Sequence, residues 1–232
     1  MVKIGDKSDW ILIIRWIFCA VLSFAGSVIL LNVLVLAGVR FSIDTPIGQM
    51  IQAIILYGCT LIFLTLMSKP KKIQAKDFGL KRSMQWRDIG LSVVGFFAYI
   101  LCTIIATRIA MLLPWFDAMQ DQEVGLSNIY GLDRAIAFLS LVVVAPFMEE
   151  ILFRGFLYGK MRNSKMSWWI PAIVVSILFG AAHMQWNVAV DVFCLSMVAC
   201  KLREKTDSIW SGILLHMINN GIAFRVLLQT MI

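Results

Sequence analysis

Residues 10–39 read WILIIRWIFCAVLSFAGSVILLNVLVLAGV, an unbroken apolar run whose only charge is Arg15. Its apolar residues are continuous rather than alternating, which suits a helix in lipid and not a strand of a membrane barrel. A helix crossing the roughly 30 Å hydrocarbon layer needs about 20 such residues. The run is also too long for the core of a signal peptide, so it reads as an uncleaved first span. Six more apolar runs follow, at 47–67, 89–113, 135–158, 168–182, 188–199 and 209–228. The run at 188–199 is short and is expected to be tilted, extended or only partly spanning.

Composition points the same way. Of 232 residues 60% are hydrophobic and only 15% are charged, against about 45–50% and about 25% in ordinary soluble domains. A chain of this size lacks the interior to hide so many apolar side chains from water. That excludes a soluble enzyme, a nucleic-acid-binding domain and a disordered protein. The expected fold class is all-α: a polytopic helical membrane protein of about seven transmembrane helices, with membrane lipids as partners and no nucleic acid. Cys19, Cys59, Cys102, Cys194 and Cys200 all lie in apolar runs without CxxC spacing. They read as small buried hydrophobes.

The basic residues orient the bundle. Fifteen of the 21 fall on one side if seven spans alternate. Lys3 and Lys7 are at the N-terminus, and seven residues from Lys69 to Arg87 follow the second span. Lys160, Arg162 and Lys165 follow the fourth, and Lys201, Arg203 and Lys205 the sixth. The opposite side carries Asp44, Asp117, Asp121, Glu123 and Asp133. The N-terminus is therefore expected in the cytoplasm and the C-terminus outside.

Charges inside spans are costly and mark function by default. Arg15, Arg108 and Arg225 lie near span ends and can snorkel to the interface. Asp191 either caps the short sixth helix or lines a cavity. The stretch VVVAPFMEEILFRGFLYGK, residues 142–160, concentrates the rest. Glu150 and Arg154 share a face at i, i+4 and are expected to pair. Glu149 lies about 100° round the helix and needs another partner, water or a proton. Pro146 weakens the helix ladder at Val142 and can open a polar pocket there. The two histidines have polar or aromatic companions: His183 in FGAAHMQWN, one turn after Phe179, and His216 in LLHMINNG, with Asn219 and Asn220 able to share its face. At 1.5 Å per residue, Glu149 lies about 16 Å in from Lys160, His216 about 14 Å from Asp207 and His183 about 22 Å from Trp168. All three can meet in the middle third of the bilayer.

EEILFR (149–154) fits EExxxR, FGAAH (179–183) fits FxxxH and HMINN (216–220) fits HxxxN. In this order, on separate spans, the three motifs resemble those of the CPBP intramembrane proteases. That group is also called the Abi or CAAX-protease-like family and includes the eukaryotic CAAX prenyl endopeptidase. The resemblance covers residues 136–228 and implies a catalytic helical core at 135–232, preceded by variable helices and a basic loop at 1–134. Ser196 and Ala199 stand where the family often has glycines, and Thr206-Asp207 where it commonly has Thr-Gly. The short loops resemble those of a bacterial member, implying a plasma-membrane location. Some bacterial relatives are linked to bacteriocin immunity and peptide maturation.

The resemblance implies the following roles. Glu149 is the general base, His183 holds the same water, and His216 and Asn220 donate to the oxyanion. Glu150, Arg154 and Phe179 support them. The implied activity is hydrolysis of a peptide bond in a membrane-associated peptide or protein, of CAAX type or related to bacteriocins or leaders, with no cofactor. Two readings stand beside it. In one, Glu149, His183 and His216 ligate zinc, although no HExxH is present. In the other, the protein is a non-catalytic scaffold, immunity factor or transporter whose polar cluster only joins helices. The basic loop is expected to contact anionic lipid. Substrate identity and oligomeric state stay open.

Overall fold

The computed structural model describes residues 7–38, 45–67, 74–120, 129–163 and 166–229. Among these there are helices and turns but no strand. Seven long helices run in order: α1 (Lys7–Leu36), α2 (Pro46–Met67), α3 (Trp86–Ala110), α4 (Gly131–Asn163), α5 (Trp169–Ala181), α6 (Trp186–Thr206) and α7 (Trp210–Gln229). Five of them (α1, α2, α3, α4 and α7) are long and apolar enough to cross a membrane. The protein is an all-α polytopic membrane protein.

The two remaining helices shape the site. The short sixth run resolves by extension: α6 continues through Lys201, Arg203 and Glu204 and reaches 21 residues. By contrast α5 has 13 residues, or about 20 Å against a layer of about 30 Å. It is too short to cross by itself, and His183 follows directly after its end. Gly180 lets α5 and α6 cross closely, since a Cβ would sit 2.9 Å from the Ala189 carbonyl oxygen. Such small-residue contacts are how helices approach in lipid, where hydrophobicity alone does not drive association.

Helix α4 is not regular. It widens into π turns at Leu139–Val144 and again at Glu150–Tyr158, with one α segment, Ala145–Glu149, between. The break expected at Val142 falls one residue earlier. The Ala145 N–H is committed to the Ser140 carbonyl, and Pro146 has no N–H to give. The Leu141 carbonyl therefore loses both of its in-helix donors. No polar pocket opens at that carbonyl, because the Asn220 amide fills the gap at 3.0 Å.

Of four core clusters among the described residues, two join the most helices. One joins Trp16 of α1 to Leu152, Phe156 and Tyr158 of α4, Ala172 and Val175 of α5 and Cys200 of α6. The other joins Tyr99 of α3 to Cys194, Leu195 and Leu202 of α6 and Leu215 of α7. Large apolar residues such as Ile14, Phe97, Leu101 and Ile177 point outward, as a lipid-facing surface requires. The cysteines are free, and Cys19, Cys194 and Cys200 are buried.

One end of the bundle is tied together by charge. A 3₁₀ turn, Ala75–Phe78, lies on α4, where the Phe78 carbonyl meets Gly155 so closely that no Cβ fits. Lys160 pairs with Asp77 at 2.8 Å, Arg162 with Glu204 at 2.6 Å, and Lys81 and Arg203 with Asp207 at 2.6 and 2.9 Å. The loop before α3 and the ends of α4 and α6 thus share one end, as an alternating topology requires. Asp207 caps α6 in the left-handed conformation, φ +52°, a geometry that favours glycine. Its carboxylate holds two cations there. Lys3, Lys69, Lys71, Lys72, Lys165, Asp44, Asp121 and Glu123 lie outside the described residues.

Candidate active site

Glu149 and Glu150 are neighbours in sequence and face different surroundings. Glu150 is fully buried and meets Arg154, also fully buried, at 2.9 Å. The expected i, i+4 pair forms even though the helix is widened there. Arg154 lies over the Phe179 ring at 4.2 Å, a favourable cation–π contact for a desolvated guanidinium. Gly212 of α7 makes room for Glu150, because a Cβ there would lie 2.7 Å from Oε2.

Glu149 is half-buried and turns toward a cavity of about 510 Å³. Its Oε1 accepts a hydrogen bond from the Tyr57 hydroxyl at 2.7 Å. Its Oε2 lies 3.7 Å from His216 Nε2. The other ring nitrogen of His216, Nδ1, lies 3.3 Å from Glu150 Oε1. The imidazole therefore lies between the two glutamates, and the amides of Asn219 and Asn220 are placed elsewhere. Asn220 donates to Leu141, and Asn219 donates to Asn220 Oδ1 at 3.4 Å. Asn220 joins the cluster through α7, one turn beyond His216, and not by a bond to it.

His183 sits just beyond the end of α5. Its Nδ1 lies 2.8 Å from the Phe179 carbonyl oxygen. A carbonyl can only accept, so Nδ1 carries a proton. Phe179 separates the histidines, edge-on to His183 at 5.0 Å and to His216 at 5.7 Å. The cavity brings Glu149, His183, Phe179 and Tyr57 to one wall-lined space; Trp16, Phe24, Leu56, Leu152 and Phe153 make it apolar elsewhere. A second cavity, about 990 Å³, lies between the far end of α3 and the α5–α6 turn. The two share Ala181 and Met184 as lining residues. Met184 takes a left-handed backbone, φ +54°, which turns the chain sharply after His183.

All of the candidate site residues lie among the described residues. Glu149, Glu150, Arg154, Phe179, His183 and His216 form one contact network. Asp191 does not cap α6, which starts at Trp186. It accepts from Tyr99 at 2.5 Å and Thr103 at 3.1 Å and ties α6 to α3. Among the described residues no group of three or more His, Cys, Asp or Glu side chains gathers as a metal cluster. Tyr57 is the residue that sequence reasoning missed. It lies in an apolar run outside every motif, and its partner is 92 positions away; no local spacing announces it.

Residues 131–222 match the family described as type II CAAX prenyl endopeptidase Rce1-like. Two relatives are similar. An "Uncharacterized 24.3 kDa protein" of Escherichia coli is 31% identical over 90 residues, covering 37% of this chain and 41% of that protein. The "Putative membrane peptidase YdiL" of Bacillus subtilis (strain 168) is 26% identical over 154 residues, covering 64% of this chain and 61% of that protein. The matched stretches span less than two thirds of either relative. No solved structure matches the chain significantly.

Proposed function

On the match of residues 131–222 to the Rce1-like family, we propose that this protein is an intramembrane endopeptidase cutting a membrane-associated peptide or protein. Glu149 carries the reading: a carboxylate on the wall of a mostly apolar cavity, with one oxygen held by Tyr57 and the other toward His216. A carboxylate in such a place is costly and by default marks function. In the proposed reaction Glu149 takes a proton from a water that Nε2 of His183 also holds. The water oxygen attacks the carbonyl carbon, and the negative charge moves to the carbonyl oxygen. His216 and the second amide proton of Asn220 donate to that oxygen. Collapse breaks the C–N bond, and the leaving amine takes the proton from Glu149. Glu150 and Arg154 hold His216 in place. No resident cofactor is assigned, and the end bearing Lys81, Lys160 and Arg203 is assigned to the cytoplasm of a bacterial plasma membrane.

The test is Glu149→Gln in purified protein, in liposomes with membrane peptides. Cleavage is expected to be lost while the melting temperature holds. Retained cleavage removes Glu149 as the base. Activity is also expected to persist in a strong chelator; loss that zinc restores would favour the metal reading through Glu149, His183 and His216. The scaffold reading has its own support in the fully buried Glu150–Arg154 pair and the Asn220–Leu141 bond, which are packing contacts. It prevails if the wild type cleaves nothing and Glu149→Gln keeps the cellular phenotype.

A further inference from the structure

We infer that Tyr57, on α2 and outside the family-matched segment, is the positioning residue of the Glu149 carboxylate. The inference rests on the reading of Glu149 as the base. A carboxylate on a helix has a broad terminal torsion, so a base needs something to choose which oxygen faces the water. Two groups flank it here. The Tyr57 hydroxyl donates to Oε1 at 2.7 Å, and His216 Nε2 stands 3.7 Å from Oε2. The 2.7 Å contact is a full hydrogen bond, whereas 3.7 Å is an approach. Tyr57 therefore sets the rotation, and Oε2 is left to take the proton.

The tyrosine is itself held. It packs against the core that joins α1 to α4 and α5, and it lines the same cavity as Glu149 and His183. Its ring reaches the site across a helix–helix contact, and its hydroxyl has a charge-assisted acceptor, among the stronger hydrogen bonds available. The arrangement also explains how helices outside the matched segment enter the chemistry. Tyr57 lies before residue 131 and bonds a motif carboxylate.

The experiment compares wild type with Tyr57→Phe, Glu149→Gln and the double variant, in liposomes. Phenylalanine keeps the packed ring and removes only the hydroxyl. Tyr57→Phe is expected to lower kcat tenfold or more, leave KM within twofold and keep the melting temperature close to wild type. The double variant is expected to match Glu149→Gln. A Tyr57→Phe kcat within twofold of wild type, with Glu149→Gln inactive, overturns the inference and leaves the base reading standing. A tenfold drop accompanied by a matching rise in KM or a large fall in melting temperature also overturns it, because substrate binding or packing would then be the cause. Wild-type kcat in Glu149→Gln overturns both.

Discussion

Glu149 and Glu150 show how one peptide bond can separate two fates. Glu150 turns to α7, where Gly212 leaves space and Arg154 supplies the countercharge. Glu149 turns to α2 and the cavity. The i, i+4 spacing of Glu150 and Arg154 was legible because both residues lie on one helix. The Asn220 contact was not. Spacing suggested that Asn220 shares a face with His216, yet its amide satisfies a carbonyl on another helix. That contact carries a prediction. Asn220→Ala leaves the Leu141 carbonyl unpaired in an apolar interior, a loss of about 1–3 kcal/mol. Pro146→Ala restores a backbone N–H beside that carbonyl. The cost of Asn220→Ala is therefore expected to shrink in the Pro146→Ala background. Denaturation of the four proteins checks it; strictly additive losses would contradict the account.

At the scale of elements, helix α4 is the organising piece. Its span was readable from the apolar run, but its π turns were not. They depend on where Ala145 commits its N–H and on what α7 offers in return. Gly155 lies in the second wide turn, directly under the Phe78 carbonyl. A Cβ there overlaps backbone, which cannot rotate aside as a side chain can. Gly155→Ala is expected to destabilise by about 1–3 kcal/mol, the usual cost of overpacking. Thermal melting reads the loss, and faster proteolysis of the loop before α3 shows that this contact is the one broken. Helix α6 teaches the reverse lesson. Its apolar stretch looked too short because its last turns are charged, yet those charges face the polar end and pair with Tyr158, Arg162 and Lys81 through Glu204 and Asp207.

Across the whole molecule, the polar end works as a clasp between the loop before α3 and the ends of α4 and α6. Burial pushes the Asp77 carboxyl up, but hydrogen bonds from Lys160 and the Gln74 N–H and nearby lysine charge outweigh it, holding it below its ordinary value. Asp207 is held down in the same way, by Lys81 and Arg203 against burial. A carboxyl lowered on folding stabilises the fold above the unfolded carboxylate range, near 4. That contribution is lost as pH falls through the lower folded value. The melting temperature of the detergent-solubilised protein is thus expected to be flat above about pH 5 and to fall below about pH 4. Asp77→Asn is expected to shrink that fall. Asp207 is largely exposed, so solvent screening leaves it a minor share. A fall of unchanged size in Asp77→Asn would place the acid sensitivity elsewhere.

The sequence by itself determined that this is a helical membrane protein, that a few polar groups share one depth, and that three motifs resemble one protease family. These are properties of single helices: run length, residue spacing, rise per residue. Only the tertiary structure decided that Tyr57 holds Glu149, that His216 lies between two glutamates, that Phe179 parts the histidines and that Asn220 repairs α4. Each depends on the relative rotation and depth of two helices. In lipid, small side chains and close packing across the whole bundle set these quantities, and no stretch of chain contains them alone.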